Sequence, residues 1–328
     1  MSTRRLLLQA AAPLAAAVAL PRPALAAFPE RPLRIIVPFA AGGITDLLAR
    51  IVTTRMAERL GSSAVIENRV GAGGSIGAEL VTRAAPDGYT LLFGSGGPLT
   101  ANPVLQARLS YDVERDFQPI GLVGILPMVC QASSRLGVTT LTDFFGMLRE
   151  RPGQVTVATP GNGSAAHLAL ELMLAGARVR ASHVPYRGGS AMMPDLISGT
   201  VDAGFVELPS ALPLHREGKV RIIAVATTQR SPLVPEVQTF IEAGLPGYTA
   251  GSFGGLLLPA GAPQEVRAAL HGALTATLAE PGVQARISEV GAILGSDAQR
   301  TPEGFAAFLR TELENARRAA ELAGLGKT

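Results

Sequence analysis

The sequence predicts an α/β protein of two lobes, each built on a mostly parallel sheet with helices on both faces, and three observations carry the prediction. Short apolar strands alternate with amphipathic helices along the chain. The length of 328 residues suits two domains at roughly 150 residues each. Two extended apolar runs, Ile120 to Ala132 and Tyr248 to Leu258, break the alternation and read as two passages between lobes. The first lobe is then discontinuous. The expected division is 27–124 plus 252–328 for the first lobe and 125–251 for the second, behind a leader at 1–26.

The leader has charge at Met1 to Arg5, an apolar stretch from Leu6 to Leu20 too short for comfortable bilayer crossing, and a small-x-small cleavage signal at Ala24-Leu25-Ala26. It predicts export to the periplasm, and the Arg4-Arg5 pair admits a twin-arginine as well as a Sec-type signal. A retained membrane anchor is the alternative. Leu33 to Val37 then reads as a buried strand, Pro38 to Gly43 as the turn that breaks it, and Ile44, Leu47, Leu48, Ile51, Val52, Met56 and Leu60 as one helical stripe ended by Gly61. Ala64 to Ile66 is a second strand, Ile76 to Ala84 a helix, and Thr90 to Phe93 a third strand running into Gly94-Ser95-Gly96-Gly97. The second half repeats the pattern. Gln154 to Ala158 is a strand, Thr159 to Gly163 a loop, and Ala165, Leu168, Ala169, Leu172 and Met173 a helical stripe, with further apolar runs at Ala181 to Pro185, Ala203 to Val206 and Ile222 to Ala226. Helical stripes at Val266 to Leu278 and Phe305 to Leu322 return the chain to the first lobe.

Composition excludes several functions. With 47% hydrophobic and 17% charged residues, the chain has the apolar content of a folded core and too little charge for a disordered polyelectrolyte. Residues 1–26 carry three arginines and no acid, so from totals of 29 basic and 26 acidic side chains the remainder balances. No basic footprint for nucleic acid remains. The lone Cys130 precludes an internal disulfide or a multi-thiolate metal site, and no two of His167, His183, His215 and His271 have metal-binding spacing. No metal and no cofactor is expected. Lys219 and Lys327 are the only lysines, which leaves little room for Schiff-base chemistry.

The strongest chemical signal is a strand followed by Pro38-Phe39-Ala40-Ala41-Gly42-Gly43-Ile44-Thr45-Asp46 and a helix. First-turn amides without intrahelical partners, and the positive end of the dipole, stabilise a carboxylate or phosphate there. Capping by Thr45 or Asp46 is the plainer explanation. Thr159-Pro160-Gly161-Asn162-Gly163-Ser164 repeats the arrangement in the second lobe, with Asn162 or Ser164 as possible caps, and two such termini can face one cleft. His167 lies near the first turn of that second helix, either as a ligand contact or as a packed histidine. Arg187 could fork onto a second carboxylate or stand solvated. Gly73-Gly74-Ser75-Ile76-Gly77 matches the nucleophile elbow of serine hydrolases, but the preceding strand ends near Glu67 and leaves a loose approach. An exported hydrolase using Ser75 is the enzymatic alternative. The same loop lacks the third glycine of a dinucleotide fingerprint, because Ile76 stands there. Gly326-Lys327-Thr328 has no helix after it to complete a P-loop.

Taken in order, these segments resemble the substrate-binding proteins of tripartite tricarboxylate transporters, the Bug family of periplasmic solute receptors. The resemblance rests on Pro29-Glu30-Arg31-Pro32, Ile36-Val37-Pro38-Phe39, Gly42 to Asp46, Glu67 to Gly74, Ala85-Pro86-Asp87-Gly88-Tyr89-Thr90, His183 to Gly188 and Glu242 to Tyr248. It implies a type II periplasmic binding protein fold, joined by a two-strand hinge, that closes over a small carboxylated solute. It also implies no catalysis, a monomer, and delivery to membrane transporter subunits or a sensor ectodomain. One ligand carboxylate would lie between Phe39 to Asp46 and Thr159 to Ser164. The candidate ligand contacts are Phe39, Ala41, Gly42, Gly43, Thr45, Asp46, Ser95, Thr159, Gly163, Ser164, His167, Tyr186, Arg187 and Glu207. Departures from the family pattern are Phe253 for a frequent tryptophan, Val206-Glu207 for an Asp-Asn type pair, Arg187 for a lysine, and Pro194 early in a helix. Asp46 is expected to position its loop, hold a water or meet an ammonium group.

Overall fold

Strand β1 (Leu33–Val37) begins a computed structural model that describes residues 28–322; the expected leader at 1–26 and the Gly326-Lys327-Thr328 tail lie outside the described residues. Helix α1 (Ile44–Arg59), β2 (Ala64–Asn68), α2 (Ser75–Thr82), β3 (Thr90–Gly94), a π-helical turn at Gly97–Ala101 and the short α3 (Asn102–Leu105) and α4 (Val113–Asp116) complete the first pass. The 17-residue β4 (Phe117–Ser133) follows. The second pass is α5 (Leu141–Glu150), β5 (Thr156–Thr159), α6 (Ala165–Ala177), β6 (Ser182–Pro185), α7 (Gly189–Ser198), β7 (Ala203–Glu207), α8 (Leu208–Arg216) and β8 (Val220–Val225). The chain returns through β9 (Gly251–Pro259), α9 (Gln264–Leu278), α10 (Pro281–Glu289), β10 (Ile293–Leu294) and α11 (Pro302–Leu322).

The strand order is β2-β1-β3-β9-β4-β7-β5-β6, with β8 and β10 also paired to β4. Strand β4 serves two sheets. Its first part pairs with β9 from Phe117 to Pro127, and its second pairs with β7 and β8 from Met128 to Ser133. The alternating units give the expected parallel pairs: β1 with β2 and β3, and β5 with β6 and β7. The crossing strands differ from a mostly parallel sheet, because β9 runs antiparallel to β3 and β4, and β4 antiparallel to β7 and β8. A strand that enters a sheet from the other lobe is not delivered by a βα crossover, and so the rule that makes neighbours parallel does not govern it.

Alternation along the central strands buries both faces. Leu33, Ile35 and Val37 of β1 pack with Leu48, Ile51 and Val52 of α1 and with Leu256, Leu258, Leu270 and Leu274 from the returning segment. Ile36 faces the opposite way, into a cluster with Leu92, Leu257, Phe253 and Phe305. In the second lobe Val157, Cys130 and Phe205 join Phe144 and Leu170, whereas Ala158, Val129 and Val206 join Leu196 and Leu212. The buried face of α1 is wider than the apolar spacing predicts, because it also takes in Thr45, Asp46, Ala49, Thr53 and Ala57. That face is turned away from Leu47, which is exposed, and Leu60, at the C-cap of the helix, is half-buried. Phe253, at the position where tryptophan is frequent, is buried edge-on against Phe305 and Phe308.

Close packing of sheet on helix limits side-chain size at one β9 position. A Cβ on Gly255 would lie 2.3 Å from the Phe305 ring and 3.1 Å from the Gly121 carbonyl. Gly255→Ala is therefore expected to cost about 1–3 kcal/mol through overpacking, read as a lower melting temperature. Gly272→Ala, inside α9 with nothing within 4 Å of the added carbon, is expected to raise stability by up to about 1 kcal/mol; equal effects at the two sites would refute the packing account.

Candidate functional site

The carboxyl ends of five strands converge between the lobes on a cavity of about 20 Å³. Phe39, Gly43, Ile44 and Thr45 follow β1; Ser95 and Gly97 follow β3; Pro160, Ser164 and Ala165 follow β5; Gly189 follows β6. Glu207 ends β7, Ser210 lies in α8, and Ser252 comes from β9. Such strand ends are where ligands bind in α/β sheets. Four helices of at least nine residues point their N-termini at this cavity: α1, α6, α7 and α8. The caps of α1, α7 and α8 make no side-chain capping hydrogen bond, so their first-turn amides remain available to an anion. At α6 the Ser164 hydroxyl instead accepts the His167 N–H at 3.1 Å.

The β1–α1 loop is shaped by its own residues. Gly42 takes φ +76°, a left-handed value glycine adopts without strain. Asp46 is 2% exposed and turns away from the cavity. Its carboxylate accepts the Gly42 N–H at 3.0 Å, Arg50 Nε at 2.9 Å and Nη2 at 3.0 Å, and Asn68 Nδ2 at 2.9 Å. Burial alone would raise the Asp46 carboxyl, but these donors outweigh it and hold it below its ordinary range. Asn68 also donates to the Phe39 carbonyl at 2.9 Å. Of the roles expected for Asp46, the geometry displays loop positioning.

The β5–α6 loop is held by a histidine stack. Thr159 Oγ1 lies 2.7 Å from His183 Nε2, the His183 and His167 rings are parallel at 4.3 Å, and the Gly163 N–H donates to His167 Nδ1 at 3.2 Å. Accepting that bond places the His167 proton on Nε2, toward Glu171 at 3.7 Å. Burial, and then the neighbouring His167, push His183 down to about 4.

Among the sequence candidates, Phe39, Gly43, Thr45, Ser95, Ser164 and Glu207 line the cavity together. Ala41 sits at its rim, where its carbonyl accepts the Ser190 hydroxyl at 3.3 Å across the lobes. Gly42, Asp46, Thr159, Gly163 and His167 support the two loops from behind. The Tyr186 hydroxyl donates to Asp195 at 2.5 Å, and Arg187 is exposed beside the cleft; neither lines the cavity. The sequence candidates leave out Ser210 and Ser252, which no motif marks, and Gly189, two residues beyond Arg187.

Two features give the cavity its chemistry. Ser95 is 1% exposed and its hydroxyl has no hydrogen-bond partner. Glu207 keeps a face on the cavity but is otherwise enclosed by protein, and that burial pushes its carboxyl up against the opposing effect of its own N–H. A larger groove of about 720 Å³ lies between α6, α11 and the crossing strands. Leu168, Leu172, Phe308 and Ala316 line it, together with Ala165 at the start of α6 and with Thr227, Thr228 and Glu312. Ser75, the enzymatic candidate, is buried, accepts Asn102 Nδ2 at 2.6 Å and donates to Gln106 at 3.3 Å. Amides cannot serve as the base that a serine nucleophile requires.

The histidine stack makes a pH dependence testable. An unfolded chain protonates His183 near its ordinary 6.5, whereas the fold resists protonation down to about 4. The resulting stability is complete above about pH 6.5 and is lost as pH falls toward 4. Denaturant midpoints are expected to fall more steeply over that window in the parent than in His183→Gln, and identical slopes would refute the assignment.

Comparison with known proteins follows from this geometry. A family model described as the tripartite tricarboxylate transporter family receptor matches residues 48–306. The chain is 36% identical over 291 residues to the UPF0065 protein in the tcbD-tcbE intergenic region of Pseudomonas sp., covering 88% of this chain and 85% of that one. Among solved structures it superposes on MatC of Rhodopseudomonas palustris with bound malate at a TM-score of 0.86, with 34% identity over 89% of this chain and 99% of that one. It superposes on the periplasmic binding protein BugD at a TM-score of 0.88, with 32% identity over 92% of this chain and all of the other, at 100%. The fold is that of the periplasmic binding proteins.

Proposed function

The chain belongs to the tripartite tricarboxylate transporter receptor family, and from that premise we propose that it captures a small carboxylated solute between its lobes and delivers it to membrane transporter subunits or a sensor ectodomain. The observation that carries this reading is the Ser95 hydroxyl, buried and without a partner in a cavity ringed by helix N-termini. A buried hydroxyl left unpaired is costly, and a carboxylate oxygen is the acceptor it lacks. The uncapped amides of α1 supply further donors, and Thr45 adds a hydroxyl from the same turn. Malate bound to MatC is a ligand of the same class. The receptor is non-catalytic, exported to the periplasm by residues 1–26 through a Sec or twin-arginine route, and monomeric.

The cavity has room for about one or two water molecules, so a solute enters only when the lobes part. We assign 27–124 with 252–328 to one lobe and 125–251 to the other, and the hinge to the places where β4 and β9 change partners, near Pro127 and Gly251. The solute favours closure because it gains donors from both lobes at once.

Two measurements test the reading. Thermal-shift screening of mono-, di- and tricarboxylates followed by calorimetry is expected to identify one-to-one binding; absence of binding across the panel would refute it. Ser95→Ala is expected to weaken that binding by about 10- to 100-fold, the worth of a hydrogen bond to a charged group. The same change relieves an unpaired buried hydroxyl, so the melting temperature without ligand should hold or rise. Small-angle scattering should show a smaller radius of gyration at saturating ligand, and an unchanged radius would exclude hinge closure.

A further inference from the structure

We propose that Glu207 determines specificity, reserving the cavity for a carboxylate that also carries a protonated amine. The inference rests on the carboxylate-receptor reading and names the ligand class within it.

The charge inventory of the cavity is one-sided. Among the described residues that line it, Glu207 is the only ionisable side chain; no Arg, Lys or His faces the space. The one other acid nearby, Asp46, is fully engaged by Arg50, Asn68 and the Gly42 N–H. Glu207 has no comparable partner. Only its own N–H opposes the effect of burial on it, and as the cap of α8 it makes no side-chain capping bond, the α8 first turn having lost a donor to Pro209. Its backbone is also fixed, because β7 pairs Glu207 with Met128 where β4 passes from one sheet to the other. The carboxyl is therefore held at the cavity and cannot swing out with a mobile loop.

A carboxylate held at so small a cavity, with little water to solvate it, needs a cation or several donors. The protein supplies neither at Glu207, so the complement must arrive with the ligand. An ammonium group meets the requirement, with three donors and the opposite charge. The ligand's own carboxylate then goes to the donors of Ser95, Thr45 and the α1 amides, and the two ends of the molecule meet opposite charges. A simple dicarboxylate would instead set its second anion beside Glu207, where no lining cation relieves the repulsion.

Calorimetry at neutral pH with matched probes tests the proposal: L-alanine against propionate, L-aspartate against succinate, L-leucine against 4-methylpentanoate, L-phenylalanine against 3-phenylpropionate. In the tightest-binding pair the amino member is expected to bind at least about tenfold more tightly than its deaminated counterpart. Glu207→Gln, which keeps size and shape, should bring the two within about threefold while leaving the ligand-free melting temperature unchanged or higher. Tighter or equal binding of the deaminated acids, or a preference that survives Glu207→Gln, would overturn the proposal and leave the carboxylate reading intact. So would uptake of a proton on binding, seen as a dependence of heat on buffer ionisation enthalpy, since it would mean that a protonated Glu207 donates to a second ligand carboxylate. Failure of every probe in both series would overturn the carboxylate reading and this proposal with it.

Discussion

One strand shared by two sheets is the constraint on which the architecture depends. β4 cannot end where the first sheet ends, because its continuation is the centre of the second sheet, between β7 and β8. Register slips at Pro119/Gly121 and Leu122/Gly124 against β9, and at Cys130/Gln131 against β8, let it change direction while keeping its hydrogen bonds. With β9 beside it, the strand fixes both sheets so that their carboxyl ends open toward a common space. The apposition of Thr45 and Ser95 with Ser164 and Glu207 follows from that arrangement.

Within that space the protein separates two tasks. Polar side chains outside the cavity do the supporting: Asp46, Arg50 and Asn68 lock the first loop, and the imidazoles of His167 and His183 brace the second. The cavity wall is left to hydroxyls, glycine backbone, the apolar Phe39, Ile44, Pro160 and Ala165, and a single carboxyl. Held dipoles in a dry enclosure interact strongly with a guest because they need no rearrangement when it arrives. The raised Glu207 and the lowered Asp46 show how far two acids in neighbouring shells diverge when one has several donors and the other has burial opposed only by its own N–H.

Much of this was legible in the residues. The two strand–loop–helix segments at Phe39 to Asp46 and Thr159 to Ser164 stood out because glycine and the onset of helical periodicity lie next to each other, and both loops flank the cavity. The crossing strands stood out because extended apolar runs interrupt a regular alternation. Other features were hidden for definite reasons. Ser210 and Ser252 reach the cavity only through tertiary placement of α8 and β9, and a lone serine carries no spacing signal. The antiparallel sense of β4 and β9 depends on how a chain re-enters a sheet, which periodicity does not encode. A sequence names a charge at Asp46 but not its direction, which was settled by Asn68 and Arg50 together. Leu47 lies outside the core because spacing counted over apolar residues alone does not show that small and polar ones, Thr45, Ala49, Thr53 and Ala57, carry the buried face round to the other side.

The seam between the lobes is built largely of main chain. A Cβ on Gly73 would meet the Asn162 carbonyl at 2.4 Å, one on Gly163 would meet Asn102 at 1.9 Å, and one on Gly188 would meet Ala40 at 3.1 Å. Surfaces that meet through glycine have few rotamers to freeze when they come together. Bringing these surfaces together thus forfeits little side-chain entropy at the glycine positions. A methyl group at any of the three, each held at positive φ, would keep the two surfaces apart.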